Sequence, residues 1–549
     1  MSLLLDLFGY LSVLVHGISI VAQSMALGGV LFLVALVRPL SLGVAGPAIR
    51  HRVRRLALFS ALGLAASEAI MLALQGAVLL GTLDIGLGRL LSAEFAVASL
   101  TRIVAALLMA GLLTGSRDKA PASVLIGLGL VVLAAAALTT HAAARLDGRS
   151  LLLGVEILHQ AGAALWIGGI PSFVVALGLL HEGPALARLG KRFSHMSMIG
   201  VAAIVISGSI MAWTYIGTLD GFYGTAYGVM VTAKIGMLLM LLGLGGMNYL
   251  LVERLRRDPN TPPTRLKRFA EAEIGIGFTL FFAAASVTSS PPAVDLVHDR
   301  ATWAEIVERN TPVWPRLASP SRDDLTLPAL QAQLDAQAAA AGANASPAFV
   351  PGSGDIPDRN AFDIEWSEYN HHWAGLFVLA IGILATANRA GVRWARHWPL
   401  LFLGLAAFLF IRSDPEVWPL GEEGFFESLR DVEVLQHRMF VLLLIPFALF
   451  EWRVRAGKLA GTKAELVFPL LSALGSALLL THQHAIANVK DQLLIEVTHT
   501  PLALSGIVAA WARWLEIRLD PSPERRIFGW VWPLALVMVG LILLDYREA

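Results

Sequence analysis

The chain of 549 residues contains no cysteine. That excludes disulfides, thiolate metal sites and thiol redox chemistry, so a soft-metal site has to use imidazole, thioether or carboxylate. Charge is scarce too: 15% of the residues are charged and the net charge is +1, which argues against nucleic acid as a partner. No G-x4-G-K-[ST] motif occurs, and no large cytoplasmic segment is present to hold a nucleotide. An ATP-driven pump is therefore not expected, and a transporter or metal-handling membrane protein is expected rather than an enzyme. The N-terminal stretch MSLLLDLFGYLSVLVHG lacks a basic n-region and a small-residue cleavage site, so it reads as an uncleaved first helix.

What the chain has in abundance is apolar length. Hydrophobic residues make up 56%, mean hydropathy is +0.66, and they come in long runs rather than amphipathic stripes. The expected fold class is all-α, a polytopic membrane helical bundle of about fourteen transmembrane helices in two modules. Residues 1–290 form an N-terminal eight-helix membrane module, 291–369 an acidic, Pro/Ala-rich insertion, and 370–549 a C-terminal six-helix module. Lysine and arginine fix the orientation. Arg38 to Arg55 holds five arginines and no acid; Arg254 to Arg268, Arg389 to Arg396 and Arg453 to Lys458 repeat the bias. Each of these loops follows an odd-numbered span, so both termini and the insertion are expected outside, in the periplasm.

On that topology the histidines fall mainly on the outward side. His16 and His159 lie in the outer parts of spans 1 and 5; His371, His372, His437, His482, His484 and His499 gather at the outer mouths of the C-terminal spans. In GVEILHQAGAALWIGG, Glu156, His159 and Trp166 share one helical face, and Gly168 and Gly169 permit close packing. His16 and Gln23 share a face in span 1, and Met230 and Lys234 line up in span 7. Met25 and Met230 are candidate soft ligands: thioether with imidazole suits Cu(I), imidazole with carboxylate suits Cu(II). Arg102, Glu68 and Lys234 are charges within spans, where pairing, gating or proton coupling are the alternatives.

Four segments carry a family resemblance: LHQAGAALWIGGIPSFVVAL, RFSHMSMIGVAAIVISGSIMAW, AYGVMVTAKIGMLLMLLGLGGMNYLLV and AEAEIGIGFTLFFAAASVTSSPPA. Their order over 150–293 resembles the core of the copper resistance protein D (CopD) family of bacterial inner-membrane proteins. The C-terminal half is similar to longer members, and QHRMFVLLLIP resembles a segment of copper-assembly membrane proteins of cytochrome oxidase. The resemblance implies copper transport across the inner membrane, in the uptake direction, with a periplasmic copper-binding partner resembling CopC; within the core motif it points to His159, Trp166 and Lys234. Self-association in the bilayer is compatible with this reading. Without a methionine-rich tract in the outward loops, high-capacity copper storage is not expected. A b-type haem or quinone-linked redox protein is the alternative from another class, with haem as cofactor; a copper-insertion assembly factor is a third. Transmembrane electron transfer normally needs ligands in both leaflets, and the inward leaflet offers almost none.

Overall fold

The computed structural model describes residues 2–83, 85–115, 120–298, 300–320, 332, 336, 339, 361–481 and 489–548. It is all-helical, without a named strand among the described residues; Val417 and Glu423 form an isolated bridge. In chain order the main helices are α1 (Ser2–Phe32), α2 (Gly46–Thr82), α3 (Glu94–Thr114), α4 (Ala122–Ala137), α5 (Arg149–Leu165) and α6 (Ile170–Leu177). Then come α7 (Gly183–Tyr215), α8 (Ala226–Arg257), α9 (Thr264–Thr288), α10 (Trp303–Arg309) and α11 (Ala361–Arg389). The chain continues through α12 (Leu401–Arg412), α13 (Val432–Arg455), α14 (Val467–Leu479), α15 (Val489–Arg518) and α16 (Pro523–Leu544). Local chemistry sets several starts: a proline occupies the first turn of α2, α7 and α16, where its missing N–H costs nothing. Asp431 caps α13 by accepting from the N–H groups of Glu433 and Val434 at 2.7 and 3.2 Å.

Among the described residues, 11 helical segments are long and apolar enough to cross a membrane. Three of the expected spans fall outside that set. Helix α4 has 16 residues and α14 only 13; at 1.5 Å per residue these reach about 24 and 20 Å, short of the roughly 30 Å hydrocarbon layer. Helix α15 is long enough but carries Glu496, Arg513, Glu516 and Arg518 along its length. Expected span 5 is broken: α5 stops at Leu165, Ile167–Gly169 form a 3-10 turn, and α6 resumes with Pro171 in its first turn.

The chain divides into two compact units. One comprises Leu11–Thr218 and Lys234–Val294; the other comprises Met1–Tyr10, Leu219–Ala233 and Asp295–Ala549. In the first, α2 packs on α3, α3 on α4, and α5 on α7. Helix α1 meets the break after α5 backbone to backbone: a Cβ on Gly28 would sit 2.2 Å from the carbonyl carbon of Gly168, and one on Gly168 2.0 Å from the Ser24 oxygen. Only glycine permits that approach. In the second unit, α16 packs on both α11 and α15. Its apolar core joins Trp398, Phe402, Phe447, Phe468 and Trp532.

Candidate functional site

The first unit holds a chain of polar side chains among apolar helices. Arg102 on α3 pairs with Glu68 on α2 at 2.7 Å, with side-chain exposures of 4% and 2%. Ser19 on α1 donates to Glu68, and Arg102 Nη2 donates to Ser19 Oγ at 3.2 Å and to Gln23 Oε1 at 2.9 Å. Gln23 Nε2 then donates to Gln160 Oε1 at 2.8 Å, and Gln160 Nε2 donates to Glu156 Oε1 at 2.9 Å. All the donors from Arg102 onward point the same way, so the amide dipoles line up between a guanidinium and a carboxylate and polarise one another. The Gly28–Gly168 contact explains why Gln23 and Gln160 meet: it brings α1 and α5 close enough for two short amides to bridge them.

His159 lies one turn beyond Glu156 on α5. Its Nδ1 is 3.0 Å from Ser207 Oγ on α7, and Ser207 Oγ donates its own proton to the Ala203 carbonyl at 2.5 Å. The serine oxygen therefore accepts from Nδ1–H, which leaves the Nε2 lone pair as the metal-binding face of a neutral ring. Lys234, on α8, acts electrostatically on both Glu156 and His159. His16 on α1 lies in the field of Arg102. Trp166 is buried at the helix break, where it and Asn248 hydrogen-bond the buried Glu273 on α9. Met25 is half-buried on α1, and Met230 is buried in the part of α8 that belongs to the second unit.

In the second unit the expected histidine cluster divides. His371 and His499 meet edge to face with ring centres 5.5 Å apart, and Tyr546 stacks on His371 at 3.8 Å. His372, the neighbour of His371, points elsewhere: its Nδ1 accepts from the Arg316 N–H at 2.7 Å and its Nε2 donates to the Tyr546 carbonyl at 2.8 Å. Both ring nitrogens are occupied, so the ring is a structural tie. His437 on α13 pairs instead with Asp414 at 2.9 Å. His482 and His484 lie outside the described residues. No group of three or more His, Asp or Glu side chains poised around one metal ion occurs among the described residues.

Asp414 opens an acidic loop between α12 and α13. Burial pushes the Glu423 carboxyl above its usual range, and the neighbouring Glu427, Asp431, Glu416 and Asp414 add to the effect. Asp431 is raised as well, by burial first. This loop, Gln160, Ser207 and Tyr546 were not singled out by sequence reasoning. The amide beside His159 in an apolar run was a readable signal for Gln160, whereas Tyr546 left none.

Comparison with known proteins matches residues 187–287, which span most of α7, all of α8 and nearly all of α9, to the family described as copper resistance protein D. Residues 187–287 are similar to CopD. Ser207, Lys234 and Glu273, the partners of His159, Glu156 and Trp166, and Asn248, which also bonds Glu273, all lie inside this CopD match. A relative from Bacillus subtilis (strain 168), described as copper transport protein CutJ, is 32% identical over 163 residues, 29% of each chain. The alignment thus spans less than a third of that relative. No solved structure matches the chain. The apolar helices make this a multi-pass membrane protein, with a region similar to the copper resistance protein D family.

Proposed function

We propose that the protein binds copper from the periplasmic side and moves it inward across the bacterial inner membrane, with His159 and Glu156 as the intramembrane acceptor. The observation that carries the reading is His159, its Nδ1 bound to Ser207 so that Nε2 holds the lone pair, one turn from a carboxylate, on a helix that breaks nearly two turns further on and packs against the CopD region. Broken helices at such depth are where membrane carriers place ion sites. A partly dehydrated cation arriving at Glu156 competes with Lys234 for the carboxylate, which gives the lysine a counter-ion role. His16 is the second nitrogen, and Met25, on the same helix, is the soft ligand. Arg102 and Glu68 stay paired and hold the far end of the amide chain. A periplasmic copper-binding protein is the donor, and the name of the Bacillus subtilis relative fits transport rather than storage.

The test is substitution with copper binding as the readout. His159→Gln keeps a side chain that hydrogen-bonds Ser207 yet lacks the imidazole; copper should bind at least tenfold more weakly, about 1.4 kcal/mol. Wild-type affinity and wild-type copper accumulation in both His159→Gln and His16→Gln would refute the intramembrane site.

A further inference from the structure

The first unit carries a cleft that the acceptor proposed above does not use. It lies between the first third of α7 and the last third of α8, where Gly190 lets the two helices close: a Cβ there would sit 3.1 Å from Val252 Cγ2. One turn of α7 supplies Lys191, Ser194 and His195, and Tyr249, Glu253 and Arg256 face them from α8. Each set is spaced by three and four residues, so each is one helix face, and their polar groups converge on one opening. The side chains of Lys191, Ser194, His195 and Tyr249 make no hydrogen bond or ion pair among the described residues. The one carboxylate in the lining is already outweighed, because Glu253 pairs with Arg256 at 2.5 Å and with Arg257 at 3.4 Å.

Its position says what the cleft can hold. Helices α7 and α8 have 33 and 32 residues; at 1.5 Å per residue they run about 50 and 48 Å, well beyond the roughly 30 Å hydrocarbon layer. The cleft lies near the end of α8, beside the arginine-rich stretch Arg254 to Arg268, which places it at headgroup level on that side of the membrane. On its bilayer side both helices are bare and apolar, with Met198 and Ile199 of α7 and Met247 of α8 exposed. The cleft measures about 30 Å³, room for about two water-sized atoms. That suits the two unesterified oxygens of a phosphodiester and excludes a whole nucleotide or peptide. A lysine ammonium with hydroxyl and ring N–H donors around it is a fitting set for those oxygens.

We propose that this cleft binds the phosphate of an anionic phospholipid, with Lys191 as the cation, Ser194, His195 and Tyr249 as hydrogen-bond donors, and the acyl chains along the bare faces of α7 and α8. The site stands independently of the copper reading. A lipid held there bridges the two helices that carry Ser207 and Lys234, so the leaflet itself steadies the frame around His159 and Glu156.

In the experiment, purified full-length protein is stripped of lipid in detergent and titrated with phosphatidylglycerol or phosphatidylcholine, and bound lipid is counted by native mass spectrometry. Wild type should hold one phosphatidylglycerol about fivefold more tightly than phosphatidylcholine, the ratio expected for one lysine at a charged interface. Lys191→Gln should lose that preference. Arg192→Gln removes the same charge from the next residue, outside the lining, and should leave it unchanged. Equal affinity of wild type for the two lipids, or equal losses in Lys191→Gln and Arg192→Gln, means diffuse surface attraction and overturns the site. Tyr249→Phe keeps the ring and should lower the preference about twofold; this arm decides the matter if Lys191→Gln does not fold, an unchanged ratio overturning the site. Inorganic phosphate that competes as well as phosphatidylglycerol gives the cleft to a free anion and overturns the lipid.

Discussion

At the scale of single residues, the least replaceable group is Arg102. Glu68 and Arg102 are almost fully buried and paired, so removing one partner leaves a charge in an apolar bundle with nothing to balance it. Arg102→Met should cost about 4 kcal/mol, while the double variant Glu68→Gln/Arg102→Gln should recover most of the loss. Thermal unfolding in detergent measures both. Half of this arrangement was legible in advance, because charges inside apolar runs announce themselves and their pairing follows from cost. The Gln23–Gln160 bridge was less legible. Amides are tolerated in many helix positions, and only the unforeseen depth of the Gly28–Gly168 contact makes these two neighbours. His371 and His372 show the same limit: adjacent residues on a helix point apart, but which of them meets another imidazole depends on where α16 ends, and no local pattern encodes that.

At the scale of elements, helix crossings and loops behave differently. Gly28→Val places methyl groups where Gly168 backbone stands and should abolish folding or drive α1 from α5, seen as loss of monodisperse protein. Gly243→Ala is the control, because nothing lies within 4 Å of its Cβ position; it should be neutral or stabilise by up to about 1 kcal/mol. The loop from Asp414 to Asp431 should respond to pH. Glu423 and Asp431 have folded values above their unfolded ones, so their contribution is full below the ordinary carboxylate range, about pH 4, and fades as pH rises through the raised values. Hydrogen exchange across 416–431, corrected for its intrinsic pH dependence, should quicken from pH 5 to 7.5. Glu423→Gln should flatten that change. The break at Ile167–Gly169 was hidden for a simple reason: the sequence stays free of charge and amide from Ala161 to Leu180, and a run of apolar residues says nothing about whether its backbone hydrogen bonds stay in register.

At the scale of the whole molecule, the arginine-rich loops give the prediction. With no native cysteine as background, single cysteines introduced at Pro320 and Asn260 report sidedness cleanly. A membrane-impermeant thiol reagent added to intact cells whose outer membrane has been made permeable should label position 320 and spare position 260. The reverse pattern would invert the protein and move His16, His159 and the His371–His499 pair to the inner side. Long apolar runs made the membrane class and helical fold readable from the first. The number of crossings was harder to read, since α4 and α14 are short and α15 bears charge toward both ends.

The crossing of α1 and α5 has a mechanical side. Gly168 meets the α1 backbone at both Gly28 and Ser24, a full turn of contact, so the two helices can neither slide nor tilt there without collision and the crossing is a rigid pin. Gln23 is the neighbour of Ser24, so the pin fixes the amide as well as the glycines, and its 2.8 Å hydrogen bond to Gln160 keeps its length while the far ends of the helices bend. Movement elsewhere in the bundle would thus leave Arg102 and Glu156 electrically joined.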